Sequence, residues 1–248
     1  KSFLERSISE CYLNRFINFR RQDLSAKMVR RASLDRKLAT VDLSSASDRL
    51  SLWLLERLVR KNPSILDAIH ASRTRTIFIP QKGEYVKLKK FASQGTAITF
   101  PIQTLIFLSI SLGAIAPKEV IKDSWSDARI RTWIGEQRNK VRVYEDDIII
   151  PTYGYAEITN LMHALGLKVN TEKSFSDGNF RESCGQDSFR GYDVTPVKPK
   201  FVIPDNPASC VAVLDSTNNL FYKGYWNASE QLRNRHNPGS RHDFGIMG

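Results

Sequence analysis

Apolar and basic positions interleave at helical spacing near the start of the chain. Leu13, Phe16, Ile17, Phe19 and Leu24 fall among Arg15, Arg20, Arg21, Lys27, Arg30 and Arg31, so residues 3 to 31 are predicted to be helical and strongly basic. A solvated amphipathic face and a face touching phosphates account for this pattern equally well. The run Leu38-Ala39-Thr40-Val41 reads as a short strand that ends at Asp42. Ser44, Ser45 and Ser47 favour a turn and a helix cap. A helix is predicted from about Asp48 to Lys61, with Leu50, Leu54, Leu55 and Leu58 on one side and Pro63 ending it. Arg75 to Ile79 and Tyr85 to Leu88, separated by a turn over Pro80 to Glu84, predict a hairpin.

Beyond a loop at Ser93 to Thr96 comes the most apolar stretch, Phe100 to Ala116. It is interrupted by Pro101, Gln103, Thr104, Ser109 and Ser111, and charge resumes at Lys118, whereas a bilayer span needs ~20 predominantly apolar residues. A buried core helix is therefore expected, and no membrane partner. Lys118 to Lys140 is polar, an insertion or a surface helix. Val141 to Tyr144 and Ile148 to Ile150 form two strand-like runs around the acidic turn Glu145-Asp146-Asp147. A helix over about Ala156 to Leu165 stops at Gly166, Leu167 to Val169 reads as a strand, residues 170–207 are loop- and strand-like, and Val211 to Leu232 is helical or mixed. Helices and strands in this irregular order predict an α+β fold, with an antiparallel sheet and helices packed on one face.

Composition narrows the class of partner. The 248 residues carry 37 Lys+Arg against 26 Asp+Glu, a net charge of +11. An excess of this size attracts polyanions, nucleic acid first and an anionic membrane second. The cysteines, Cys11, Cys184 and Cys210, form no C-x-x-C pair and the four histidines are scattered, so a zinc site is not expected. Sparse cysteine suits a reducing cytoplasm.

The acidic turn carries the most chemistry. Adjacent carboxylates repel, and holding them between buried strands is costly unless a cation neutralises them. A hard divalent cation with oxygen ligands meets that need; an exposed turn that is merely acidic is the competing reading. Asp42 ends another predicted strand. If that strand lies beside the 141–150 hairpin, Asp42 and Asp146 converge, and two metals ~3.5–4 Å apart could clamp an in-line phosphoryl displacement.

These residues resemble a known family. Ala39-Thr40-Val41-Asp42 through Asp48 looks like motif A of the RNA replicases of leviviruses, the RNA phages related to Qβ. Ala92-Ser93-Gln94-Gly95-Thr96 through Thr99-Phe100 resembles motif B, Val143-Tyr144-Glu145-Asp146-Asp147-Ile148 motif C, and Asn170-Thr171-Glu172-Lys173-Ser174-Phe175 motif D. Phe180-Arg181-Glu182-Ser183-Cys184-Gly185, followed by Gly191 to Pro196, is similar to the block after it.

The resemblance implies RNA-templated RNA synthesis on a right-hand polymerase palm, with fingers and thumb incomplete: a fingers-side helical segment over 1–36, the palm over 37–204, and the start of a thumb or C-terminal helical segment over 205–248. It implies two magnesium ions, with manganese as a substitute, held by Asp42, Asp146 and Asp147. Asp48 would favour a ribose 2′-hydroxyl, and Ser93, Gly95, Thr96 and Thr99 would hold the nucleotide. Lys173 would act near the leaving pyrophosphate as a general acid, its alternative being a surface lysine. Arg181 would contact RNA. Expected partners are template and nascent RNA, nucleoside triphosphates, and the host elongation factors Tu and Ts with ribosomal protein S1, in the cytoplasm of a bacterial host. Family members are much longer, so a fragment is expected. Two departures stand out: Glu145 replaces the family's usual Gly, and Thr96 its usual Asn. A reverse transcriptase, suggested by Tyr144-x-Asp146-Asp147, and a non-catalytic basic RNA binder are the alternatives.

Overall fold

The computed structural model describes residues 2–91, 98–122, 125–199, 201 and 203–235. Ser93, Gly95 and Thr96 lie outside them. The chain divides into two compact units, 1–194 and 195–248.

In the first unit the basic N-terminal region is helix α1 (Ser2–Glu10), a 3-10 turn (Tyr12–Arg15) and helix α2 (Asp23–Asp35), instead of one continuous helix. Arg36 adopts a left-handed φ of 56° and turns the chain from α2 into strand β1 (Leu38–Val41). The expected helix at 48–61 is split into α3 (Ala46–Arg49) and α4 (Leu52–Val59), because Leu50 is extended and Ser51 starts a new helix by accepting the Leu54 N–H. Pro63 ends nothing further: it sits in the first turn of α5 (Pro63–Ser72), where a missing N–H costs no hydrogen bond. The hairpin β2 (Thr76–Ile79) and β3 (Glu84–Lys87) follows.

Helix α6 (Thr99–Ala114) is the apolar stretch, buried on several sides through Ile102, Ile106, Phe107, Leu108 and Ile110. Among the described residues no helix is long and apolar enough to cross a membrane. Helices α7 (Lys118–Ile121) and α8 (Asp127–Glu136) carry the polar segment. Strands β4 (Arg142–Tyr144) and β5 (Asp147–Pro151) follow, then α9 (Tyr155–Ala164) and the meander β6 (Phe180–Ser183), β7 (Gln186–Phe189) and β8 (Tyr192–Asp193). The predicted strand at 167–169 reduces to an isolated bridge between Val169 and Leu43. The second unit holds α10 (Pro207–Tyr222), started by an Asn206–Ser209 capping box, and α11 (Trp226–Arg235) packed against it.

The central sheet is antiparallel in the order β1-β5-β4, so the α+β class holds. Its two faces are both covered, which corrects the expectation of helices on one face only. Ile148 and Ile150 join the larger core with Ile106 and Phe107 of α6, while Ile149 faces Val29 and Ala32 of α2. Successive strand residues point to opposite faces, so an unbroken run of three isoleucines needs cover on both.

Candidate active site

Register brings the distant acids to one end of this sheet. Val41 pairs with Ile148, so Asp42, the next residue, leaves β1 beside Asp147, the first residue of β5. Tyr144 pairs with Asp147 and leaves Glu145 and Asp146 as a two-residue turn. Glu145 sits there with φ 57°. Primed two-residue turns demand a positive φ at this position and favour glycine for it. The Glu side chain is accommodated at the strained position without loss of the hairpin.

Asp42 is held by the segment after α9. Its main-chain N–H donates to Ser174 Oγ (3.0 Å), its carbonyl accepts from the Asn170 N–H (2.9 Å), and its carboxylate Oδ2 accepts from Asn170 Nδ2 (2.9 Å). Thr40 also exchanges both main-chain hydrogen bonds with Phe175, at 3.0 and 2.8 Å. The stretch 169–175 thus flanks the free edge of β1 and fixes where its last residue points. Lys173 stands exposed in the turn of that stretch.

The other two acids are partly buried and electrostatically coupled. Burial pushes the Asp147 carboxyl up to about 6; the Cys184 N–H and the Ser183 hydroxyl, both hydrogen-bonded to it, oppose the rise, and the charges of Asp146 and Asp42 add to it. Burial also raises Asp146, with repulsion from Asp42 in the same direction, while its own backbone hydrogen bond and the Lys173 ammonium pull it down. Cys184 is pushed up to about 11 by burial and by Asp147, so it is a neutral thiol and no nucleophile at neutral pH.

Among the described residues no three His, Cys, Asp or Glu side chains are gathered into a ready-made metal cage. The donors still fit magnesium. They are hard carboxylate oxygens whose mutual repulsion a cation would relieve, and magnesium takes only one or two protein carboxylates and completes its shell with water and phosphate oxygens.

The remaining predicted residues separate into groups. Asp48 lies in α3, exposed, and its carboxylate pairs with Lys90 Nζ. Thr99 opens α6, 93% buried, and its Oγ1 has no hydrogen-bond partner among the described residues. Phe100 beside it contacts the ring of Tyr144 at 5.5 Å between centroids, which joins the start of α6 to the acidic hairpin. Arg181 is a correction. It is fully buried, and its guanidinium donates to five main-chain carbonyls: Leu38 (2.7 Å), Ser176 (3.0 Å), Asp177 (3.0 Å), Gly178 (3.1 Å) and Phe180 (2.6 Å). With its donors spent on the backbone it ties β6 to β1 and cannot reach a phosphate. Asn170, Ser174, Ser183 and Lys90 are neighbours of the acids that sequence reasoning did not single out. Asn170 and Ser174 lie within the motif D run, but a small polar residue gives no sign of which distant carboxylate it will meet.

The RNA replicase, beta-chain family model matches residues 14–220. An RNA-directed RNA polymerase subunit beta of Enterobacteria phage SP is 34% identical over 207 residues, 84% of this chain and 32% of that protein. The subunit of Escherichia virus Qbeta is 33% identical over 205 residues, 83% of this chain and 31% of its own length. The RNA-directed RNA polymerase beta chain of Escherichia phage MS2 is 29% identical over 182 residues, 73% and 29% of the two chains. The chain spans about a third of the length of these relatives. It belongs to the RNA replicase beta-chain family.

Proposed function

We propose that this chain carries the catalytic palm of an RNA-directed RNA polymerase, and that Asp42, Asp146 and Asp147 bind the divalent cations of nucleotidyl transfer. The single observation that carries the reading is the meeting of Asp42, from one strand, with the Asp146–Asp147 turn of another, at one end of the sheet. Two magnesium ions bound there would acidify the attacking 3′-hydroxyl and neutralise charge on the departing pyrophosphate. The protein's own part is positional. Asn170 and Ser174 orient Asp42, Ser183 and the Cys184 N–H orient Asp147. Lys173, whose ammonium already draws on Asp146, supplies a proton or a positive charge to the leaving group. Asp48, released from Lys90, accepts from a ribose 2′-hydroxyl. Thr99, at the start of α6, holds the nucleotide, a task the motif B resemblance also gives to Ser93, Gly95 and Thr96.

Substrates are then ribonucleoside triphosphates and an RNA template, as the names of the relatives suggest. Host factors such as elongation factors Tu and Ts and protein S1 would join the full-length protein. The test is magnesium-dependent binding of a nucleoside triphosphate, measured by calorimetry on the wild type, Asp42→Ala and Asp146→Asn. Both variants are expected to lose the magnesium-dependent component, a drop of tenfold or more in affinity, with folding intact by circular dichroism. Undiminished binding in either variant would refute the assignment.

A further inference from the structure

The opposite end of the same sheet, where β1 and β4 begin and β5 ends, borders a trough that the carboxylate site does not use. Three cavities of about 790, 540 and 380 Å³ adjoin there. The first two share Lys27, Met28 and Asn139, and the last two share Arg15, Arg138 and Asn139, so they lie side by side along one face. Strand β5 separates this end from the acids by four residues, ~13 Å at the usual rise of a strand.

Charge along the trough is one-sided. Arg15, Lys27, Arg31, Lys37, Arg138 and Lys140 line it against two acids, Asp35 and Glu136. Lys27 and Arg31 lie one turn apart on α2, on the side away from the buried Val29 and Ala32. Their side chains are 73% and 75% exposed, and their pairings with Asp23 (3.5 Å) and Asp35 (3.4 Å) are surface pairs of little strength, open to exchange for a phosphate. Arg142 also borders the middle cavity, but its guanidinium is buried and given to Ser25 Oγ and the Arg21 carbonyl. Apolar surface lies among the cations. Met28, Leu38 and Pro151 line the largest cavity, and Tyr153, 72% exposed, stands with them.

We propose that this trough is a second RNA-binding surface, taking a single-stranded stretch of RNA away from the carboxylate site. A cation row running through three cavities suits a polymer of phosphates better than a small anion, which two cations would satisfy. The exposed Tyr153, with half-buried Met28 in the same cavity, offers bases a stacking surface, a feature that an acidic peptide would not use. The choice of RNA among nucleic acids rests on the family reading; the trough itself does not.

The experiment is fluorescence anisotropy of a labelled single-stranded RNA of about 12 nucleotides with the full 248-residue chain, in EDTA, so that the outcome is independent of the metal-binding reading. Lys27→Ala/Lys37→Ala/Lys140→Ala is compared with Lys61→Ala/Lys82→Ala/Lys118→Ala, three exposed lysines elsewhere that remove the same charge. The first triple is expected to weaken binding at least tenfold and to flatten the log–log salt dependence by about 2, whereas the second changes affinity less than threefold. Tyr153→Ala is expected to weaken RNA but not inorganic polyphosphate. RNA bearing a photoreactive base should crosslink wild-type protein at the Met28 or Tyr153 peptide. Equal losses in the two triples, an unchanged first triple, indifference to Tyr153→Ala, or crosslinks confined to other peptides would overturn the proposal.

Discussion

At the scale of single residues, the protein spends stability on its acids. Asp147 has an ordinary carboxyl value of 3.8 in the unfolded chain and about 6 when folded. The folded state therefore binds the proton more tightly. Its advantage is complete below 3.8, is lost as pH rises through the window to about 6, and above that a constant penalty remains. Asp147→Asn removes the charge while keeping the shape. In EDTA at pH 7 the variant is expected to be more stable than the wild type by roughly 1–3 kcal/mol, with the difference vanishing at pH 3.5 or below. Urea unfolding at several pH values measures this, and a less stable variant at pH 7 would contradict the electrostatic account. Glu145 shows the same economy in the backbone, since a left-handed residue bearing a Cβ is strained.

At the scale of elements, the β6–β7 hairpin and the 169–175 stretch act as supports for strand ends. Arg181 ties the hairpin and the 176–178 turn before it to the start of β1 through five main-chain carbonyls. Arg181→Met is expected to cost roughly 1–3 kcal/mol, seen as a lowered urea midpoint, because it strands the buried Leu38 carbonyl while water can reach those of Asp177 and Gly178. Arg181→Lys would recover little, since an ammonium cannot fan out to five acceptors. A near-neutral Arg181→Met would mean that the hairpin is held by other contacts. Asn170 and Ser174 brace Asp42, and motif D was legible as a motif and not as that brace. Its hydrogen bonds to Asp42 cross 128 residues of sequence, and no local spacing encodes them.

At the scale of the whole molecule, the net charge of +11 is unevenly used. Some cations, such as Arg181 and Arg142, are structural and buried; others line the trough beside α2. RNA binding by the whole chain is expected to fall roughly tenfold to a thousandfold between about 50 and 200 mM salt, as counterion release requires. Filter binding across that range measures it, and a flat response would count against any phosphate-tracking surface.

The sequence by itself determined the class and order of most elements. Strong periodicity and the acidic turn were local signals, so β1, the β2–β3 hairpin, α6 and the β4–β5 hairpin could be read directly, as could the motif blocks that carry the family resemblance. It could not place the break at Leu50–Ser51 or the new helix at Pro63, where capping outweighs hydrophobic spacing. Only the tertiary structure decided which arginines face solvent, which face of the sheet each isoleucine covers, and that Asp42 lies beside Asp147. These depend on strand register and on burial, which are set by contacts between residues more than a hundred positions apart, and a carboxylate or guanidinium carries the same local pattern whether it ends in water or in the core.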